Sequence, residues 1–142
     1  MYELAIGAII AALIFDFING FHDAANSIAT VVGTRVLKPL HAVTLAAVAN
    51  FVGPFLFGVA VATTIGKGII NPDFVTIHII IGALFGAIVW NIITWWWGLP
   101  SSSSHALVGG IIGAGIAGAG THAIIFGGLE KVATGILVSP IV

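Results

Sequence analysis

The sequence predicts an all-α integral membrane fold, with several transmembrane helices and a re-entrant helical hairpin in a single membrane domain over residues 1–142. Three observations carry that prediction. Hydrophobic residues make up 59% of the chain and charged residues only 6%, against roughly 25% charged in soluble domains. The mean hydropathy of +1.20 is gathered in runs long enough to cross a hydrocarbon core, which takes roughly 20 residues of helix. No stretch between those runs is long enough to make a separate soluble domain.

The first apolar segment covers residues 3–21 and leads into DFINGFHDAANSIAT, residues 16–30. Within it Asp16, Asn19, Asp23, Asn26, Ser27 and Thr30 follow at offsets of 3, 4, 3, 1 and 3. On a helix these side chains share one face. Such a stripe at membrane depth is costly unless it faces water, an ion or a polar substrate, so it is the first candidate for a functional site. The structural alternative is that Asp23 and Asn26 bond to each other within the bundle, with Asp16 bracing Asn19 or Ser27. Gly33, Thr34, Arg35, Lys38 and Pro39 close the unit at an aqueous turn. The positive-inside tendency places that turn in the cytoplasm and the N-terminus outside. The opening MYELAIGAII lacks a basic region and a small-residue cleavage site, so no signal processing is expected.

The second segment, residues 40–66, carries Asn50 near its middle and Gly53-Pro54 just beyond. Pro54 should kink or break the helix. Freed carbonyls beside a kink, with the Asn50 amide oxygen, are hard ligands suited to a small cation. Equally, Asn50 could bond a neighbouring helix across a packing kink. KGIINPD, residues 67–73, reads as an aqueous turn broken at Asn71-Pro72. The third segment, residues 74–97, ends in Trp95-Trp96-Trp97, which marks a headgroup boundary.

Next comes GLPSSSSHALVGGIIGAGIAGAG, residues 98–120. Pro100 and four serines stop the preceding helix, and serine is a favoured N-cap, so a new helix should begin near Ser104 or His105. Gly109 and Gly113 form a GxxxG, and Ala114 with Gly118 continues the small-residue pattern that admits another backbone. Residues 107–120 are too few to span easily, which suggests a re-entrant hairpin. Residues 121–128 form a further short apolar piece, Glu130-Lys131 an aqueous marker, and a last helix starts at about Ala133 and is cut short at Val142.

The serine-rich helix start at Ser102, Ser103 and Ser104 suits a small oxyanion. A helix N-terminus offers unpaired N–H groups and about half a positive charge, and no Lys or Arg lies within a predicted span. Asp23 could then hold a coupling cation or accept from a protonated phosphate oxygen, and His105 could donate to the anion or cap its loop. An ordinary surface loop with an N-cap is the structural alternative for the serines.

Other chemistries fit poorly. A net charge of −1, from four Lys/Arg and five Asp/Glu, gives no basic patch for nucleic acid. Without cysteine there is no disulfide, iron–sulfur cluster or thiol catalysis. The five histidines, His22, His41, His78, His105 and His122, are scattered and lack the spacing of a zinc enzyme. Ser104-His105 has no acid to orient the ring, which argues against hydrolysis and against an enzyme.

At these residues the chain resembles the PiT family of inorganic phosphate transporters. Asn19 to Ser27, reading NGFHDAANS, resembles the family's first signature. GLPSSSSHALVGG, residues 98–110, resembles its serine/threonine–histidine hairpin motif, and VANFVGPF and TIGKGIINPD resemble the segments between. The resemblance implies secondary active uptake of phosphate driven by sodium or protons, with no cofactor beyond that ion, in the plasma or inner membrane. It also implies two inverted repeats that share a midplane site, of which this chain carries one. Phosphate would then fall to Asp23, Asn26, Ser102, Ser103 and Ser104, and the cation to Asp23, Asn26 and Asn50, with Asp16, Asn19, Ser27, Thr30 and His105 in support. The expected partners are phosphate, the cation, lipid, and a second repeat or a second copy of the chain. The chain is read as an N-terminal half, Leu137-Val138-Ser139-Pro140 resembling the lead-in to the other. The competing readings are an inactive fragment or regulatory subunit packed on a complete transporter, and a channel.

Overall fold

The computed structural model describes residues 2–57 and 68–138. Among these residues there are five α-helices and two 3-10 turns. Helix α1 (Tyr2–Gly33) has 32 residues, about 48 Å at 1.5 Å per residue. The polar stripe is therefore the second half of one continuous helix. Beyond Gly33 the Thr34 N–H reaches the Thr30 carbonyl at 2.9 Å and the Leu37 N–H that of Val31 at 3.1 Å. Arg35, at φ 60°, takes the left-handed conformation that closes many helices.

Helix α2 (Pro39–Phe57) starts with proline, whose fixed φ and missing N–H suit a first turn. Pro54 lies inside the helix, which continues to Phe57 and does not break at the proline. Because Pro54 has no N–H, the carbonyl four residues back, that of Asn50, is the one released. The remainder of the second predicted segment and Lys67 lie outside the described residues.

Asn71 opens the 3-10 turn Pro72–Phe74 by accepting from the Asp73 N–H at 3.2 Å. Residues 69–71 run antiparallel to 123–125, with the Asn71 N–H on the Ala123 carbonyl and the Ile125 N–H on that of Ile69, each at 2.9 Å. Helix α3 (Ile77–Trp96) follows a Thr76 cap. It ends in a Schellman turn: Gly98, at φ 65°, donates to the Trp95 carbonyl at 3.0 Å, and Leu99 to that of Thr94 at 2.8 Å. Helix α4 (Ser103–Ala119) is capped by Ser102. After Gly120 and the turn Thr121–Ala123 comes helix α5 (Phe126–Val138).

Two expectations need correcting here. The last described helix starts at Phe126, seven residues before Ala133, and Glu130-Lys131 lies within it. Leu129 and Val132 pack on the core while Glu130 and Lys131 are exposed, so the charges occupy the outer face of an amphipathic helix. The second correction concerns the glycines. A Cβ at Gly109 or Gly113 would meet nothing within 4 Å, whereas one at Gly110 would run into the Ala83 carbonyl. The close approach of α4 to α3 thus runs through Gly110 and Ala114, the latter 3.4 Å from a Cβ built on Gly82.

Helix α3 is central, packed extensively on α4 and also on α1, with α2 laid against α1. At one end Ile69, Ile70, Ile79, Val108, Ala123 and Ile124 form the buried core. Ile9, Leu13, Phe17, Phe51 and Phe55 point outward, as helices require when hydrocarbon is the solvent. Helices α1, α2 and α3 are long and apolar enough to cross a membrane.

Candidate functional site

The site lies where α1, the C-terminal end of α3 and the start of α4 meet. Phe21 stacks edge-on against Trp95, with ring centroids 5.5 Å apart, which fixes α1 against α3 one residue from the polar groups. His22 is buried, its side chain 4% exposed, while that of Asp23 is 42% exposed. His22 Nδ1 lies 3.2 Å from Asp23 Oδ1. A carboxylate oxygen accepts, so this contact is a hydrogen bond in the tautomer that carries the ring hydrogen on Nδ1. The other nitrogen, Nε2, lies 3.4 Å from Thr94 Oγ1.

Thr94 ties this pair to the serines. Its hydroxyl faces its own helix carbonyls at Trp90 (2.9 Å) and Asn91 (3.1 Å), and it accepts from Ser101 Oγ at 3.0 Å. Ser103, fully buried, donates from Oγ to Asp23 Oδ1 at 3.3 Å. Asp23, His22, Thr94, Ser101 and Ser103 thereby close a polar ring through the backbone of Ser102. Both contacts to Asp23 fall on Oδ1, and its exposure leaves the carboxylate free to take a further partner.

The local sequence explains the placement. The Schellman turn at Gly98 swings Leu99-Pro100 out of α3 and returns Ser101 to Thr94. Ser102 accepts from the His105 N–H at 3.4 Å, so the helix begins at Ser103, one or two residues earlier than expected. Ser102, His105 and Trp90 line a groove of about 780 Å³ between α3 and α4, with Gly86, Gly109 and Gly113 along its floor.

Of the residues singled out in the sequence, the structure brings Asp23 and Ser103 into contact and sets Ser102 beside them as the cap. Asn26, Ser104 and His105 are exposed close by, and the Ser27 hydroxyl turns back to the Asp23 carbonyl at 2.9 Å. Asp16, Asn19, Thr30 and Asn50 make no side-chain hydrogen bond among the described residues, and Asn50 does not contact Asp23 through one. No cluster of three metal-ligating side chains occurs among the described residues.

Sequence reasoning missed His22, Thr94, Ser101 and Asn91. Asn91 is fully buried, and neither amide atom has a hydrogen-bond partner. A usable signal was present: Asn91 and Thr94 sit three apart in the apolar run that follows His78, and His22 is four residues from the buried Ile18.

Residues 19–142 match the phosphate transporter family. The chain belongs to that family. It is 56% identical over 139 residues to a "Probable low-affinity inorganic phosphate transporter" of Rhizobium meliloti (strain 1021), covering 98% of this chain and 42% of that protein. A protein of the same name from Bacillus subtilis (strain 168) is 52% identical over 141 residues, with the same two coverages. Among solved structures, "The sodium-dependent phosphate transporter" superimposes with a TM-score of 0.86 at 33% identity, over 99% of this chain and 36% of that one. This member of the phosphate transporter family therefore spans about two fifths of the length of those relatives. Its family and its three apolar helices make it a multi-pass membrane protein.

Proposed function

We propose that the chain supplies one half of a secondary transporter in the cell membrane that moves inorganic phosphate with a cation, sodium or a proton. The observation that carries this reading is the Ser103 to Asp23 hydrogen bond, which sets a carboxylate against a helix N-terminus. The first turn of α4 points N–H groups and about half a positive charge outward, a site for phosphate without Lys or Arg. Placed alone beside that anion, the Asp23 carboxylate would repel it. A cation held by Asp23, with Asn26 and the released carbonyl and amide of Asn50, removes the repulsion, so each ligand favours the other and the two travel together.

Helix α4, with 17 residues, falls short of the roughly 20 needed to span and suits a re-entrant hairpin. The open side of the site is then completed by a second, inverted repeat or a second copy, and transport proceeds by alternating access. Radiolabelled phosphate uptake into proteoliposomes holding the protein, with inward sodium or proton gradients applied in turn, tests the proposal. Uptake driven by one gradient supports it. Uptake indifferent to both identifies a channel, and its absence with folded, inserted protein refutes transport by this chain alone.

A further inference from the structure

We propose that His22 is a positioning residue: it sets the Asp23 carboxylate and ties it to the serine-bearing start of α4. The inference rests on the transport reading above. Neighbouring side chains on a helix diverge by about 100° and do not ordinarily face each other. Yet His22 Nδ1 lies 3.2 Å from Asp23 Oδ1, so the two side chains turn toward each other across the helix surface.

The ring that holds it is itself held. Its side chain is 4% exposed, and the Phe21 and Trp95 stack sits beside it. Its second nitrogen faces Thr94 Oγ1 at 3.4 Å. Thr94 also takes the Ser101 hydroxyl at 3.0 Å and, through its carbonyl, the Leu99 N–H at 2.8 Å, and so holds both ends of the loop that delivers Ser103. Two arms therefore converge on Oδ1, a direct one from Ser103 and an indirect one through His22. A ligand that draws the carboxylate off Oδ1's donors disturbs both arms, and the start of α4 responds. His22 makes occupation of Asp23 felt at the serines.

The two nitrogens can be tested separately. An Asn side chain carries its amide nitrogen, a donor, near the place of Nδ1, and a Gln side chain can place its amide oxygen, an acceptor like the bare ring nitrogen, near that of Nε2. Half-saturation for phosphate, which is independent of the amount of protein inserted, is measured for wild type, His22→Ala, His22→Asn and His22→Gln in proteoliposomes, with uptake by Asp23→Asn measured alongside. His22→Ala should raise it about tenfold, as expected for losing one hydrogen bond to a charged group. His22→Asn should restore it to within about threefold, and His22→Gln, which keeps only the tie to Thr94, should not. Rescue by Gln equal to that by Asn, or an Ala variant with unchanged half-saturation, overturns the assignment while Asp23→Asn still abolishes uptake. Undiminished uptake by Asp23→Asn overturns the transport reading and this inference with it, and no uptake by wild type refutes transport by this chain alone and, with it, an inference that has His22 act in such transport.

Discussion

Ser103 Oγ donates to Asp23 Oδ1 at 3.3 Å across eighty residues of chain, joining the first turn of α4 to the middle of α1. Ser103 has no solvent exposure, whereas the Asp23 side chain keeps 42% of its own. One partner is fixed and the other remains open to a ligand. Ser103→Ala should cost about 1–3 kcal/mol of that junction, read as a weaker phosphate affinity with the protein still inserted.

The Schellman turn is the second lever. Gly98 sits at φ 65°, where any residue with a Cβ is strained by roughly 1–2 kcal/mol. Gly98→Ala should lower thermal stability in detergent by about that amount and loosen Ser101 from Thr94. Gly109→Ala, in a regular helix with nothing within 4 Å of the new Cβ, should be neutral or gain up to about 1 kcal/mol.

Gly110→Ala separates the two faces of α4. Its methyl would run into the Ala83 carbonyl, so α3 and α4 must part, at a cost of about 1–3 kcal/mol. Thermal unfolding that ranked Gly109→Ala below Gly110→Ala would place the close helix contact on the wrong side.

Asn91 gives a prediction of opposite sign. Both amide atoms are buried without a partner, and an unmet polar group costs about 1–3 kcal/mol. Asn91→Leu, similar in volume, should unfold at the same temperature or a higher one. A marked loss of stability would reveal a bound partner for the amide.

Much of this was legible in the residues. The spacing from Asp16 to Thr30 gave one helical face, and the serines gave a cap and helix start, because both signals are local. The Asn71-Pro72 turn followed from proline chemistry in the same way. What could not be read was which glycine faces α3, since Gly109, Gly110 and Gly113 are alike in composition and differ only in the rotation of α4. His22 was passed over because its worth lies in Thr94, seventy-two residues away, and no spacing rule reaches across helices. The charged pair in α5 misled for a different reason: Glu130-Lys131 lies on the exposed face of a helix, where a charge marks a side and not an end.

A double-mutant cycle on Asp23→Asn and Ser103→Ala, read as phosphate binding by the purified protein in the presence of the cation, tests the central claim most directly. If the two side chains form one junction between cation and anion, the double variant will be no worse than the weaker single one, by a coupling of about 0.5–3 kcal/mol. Effects that simply add would mean that the carboxylate and the serine act apart, and would contradict a shared site.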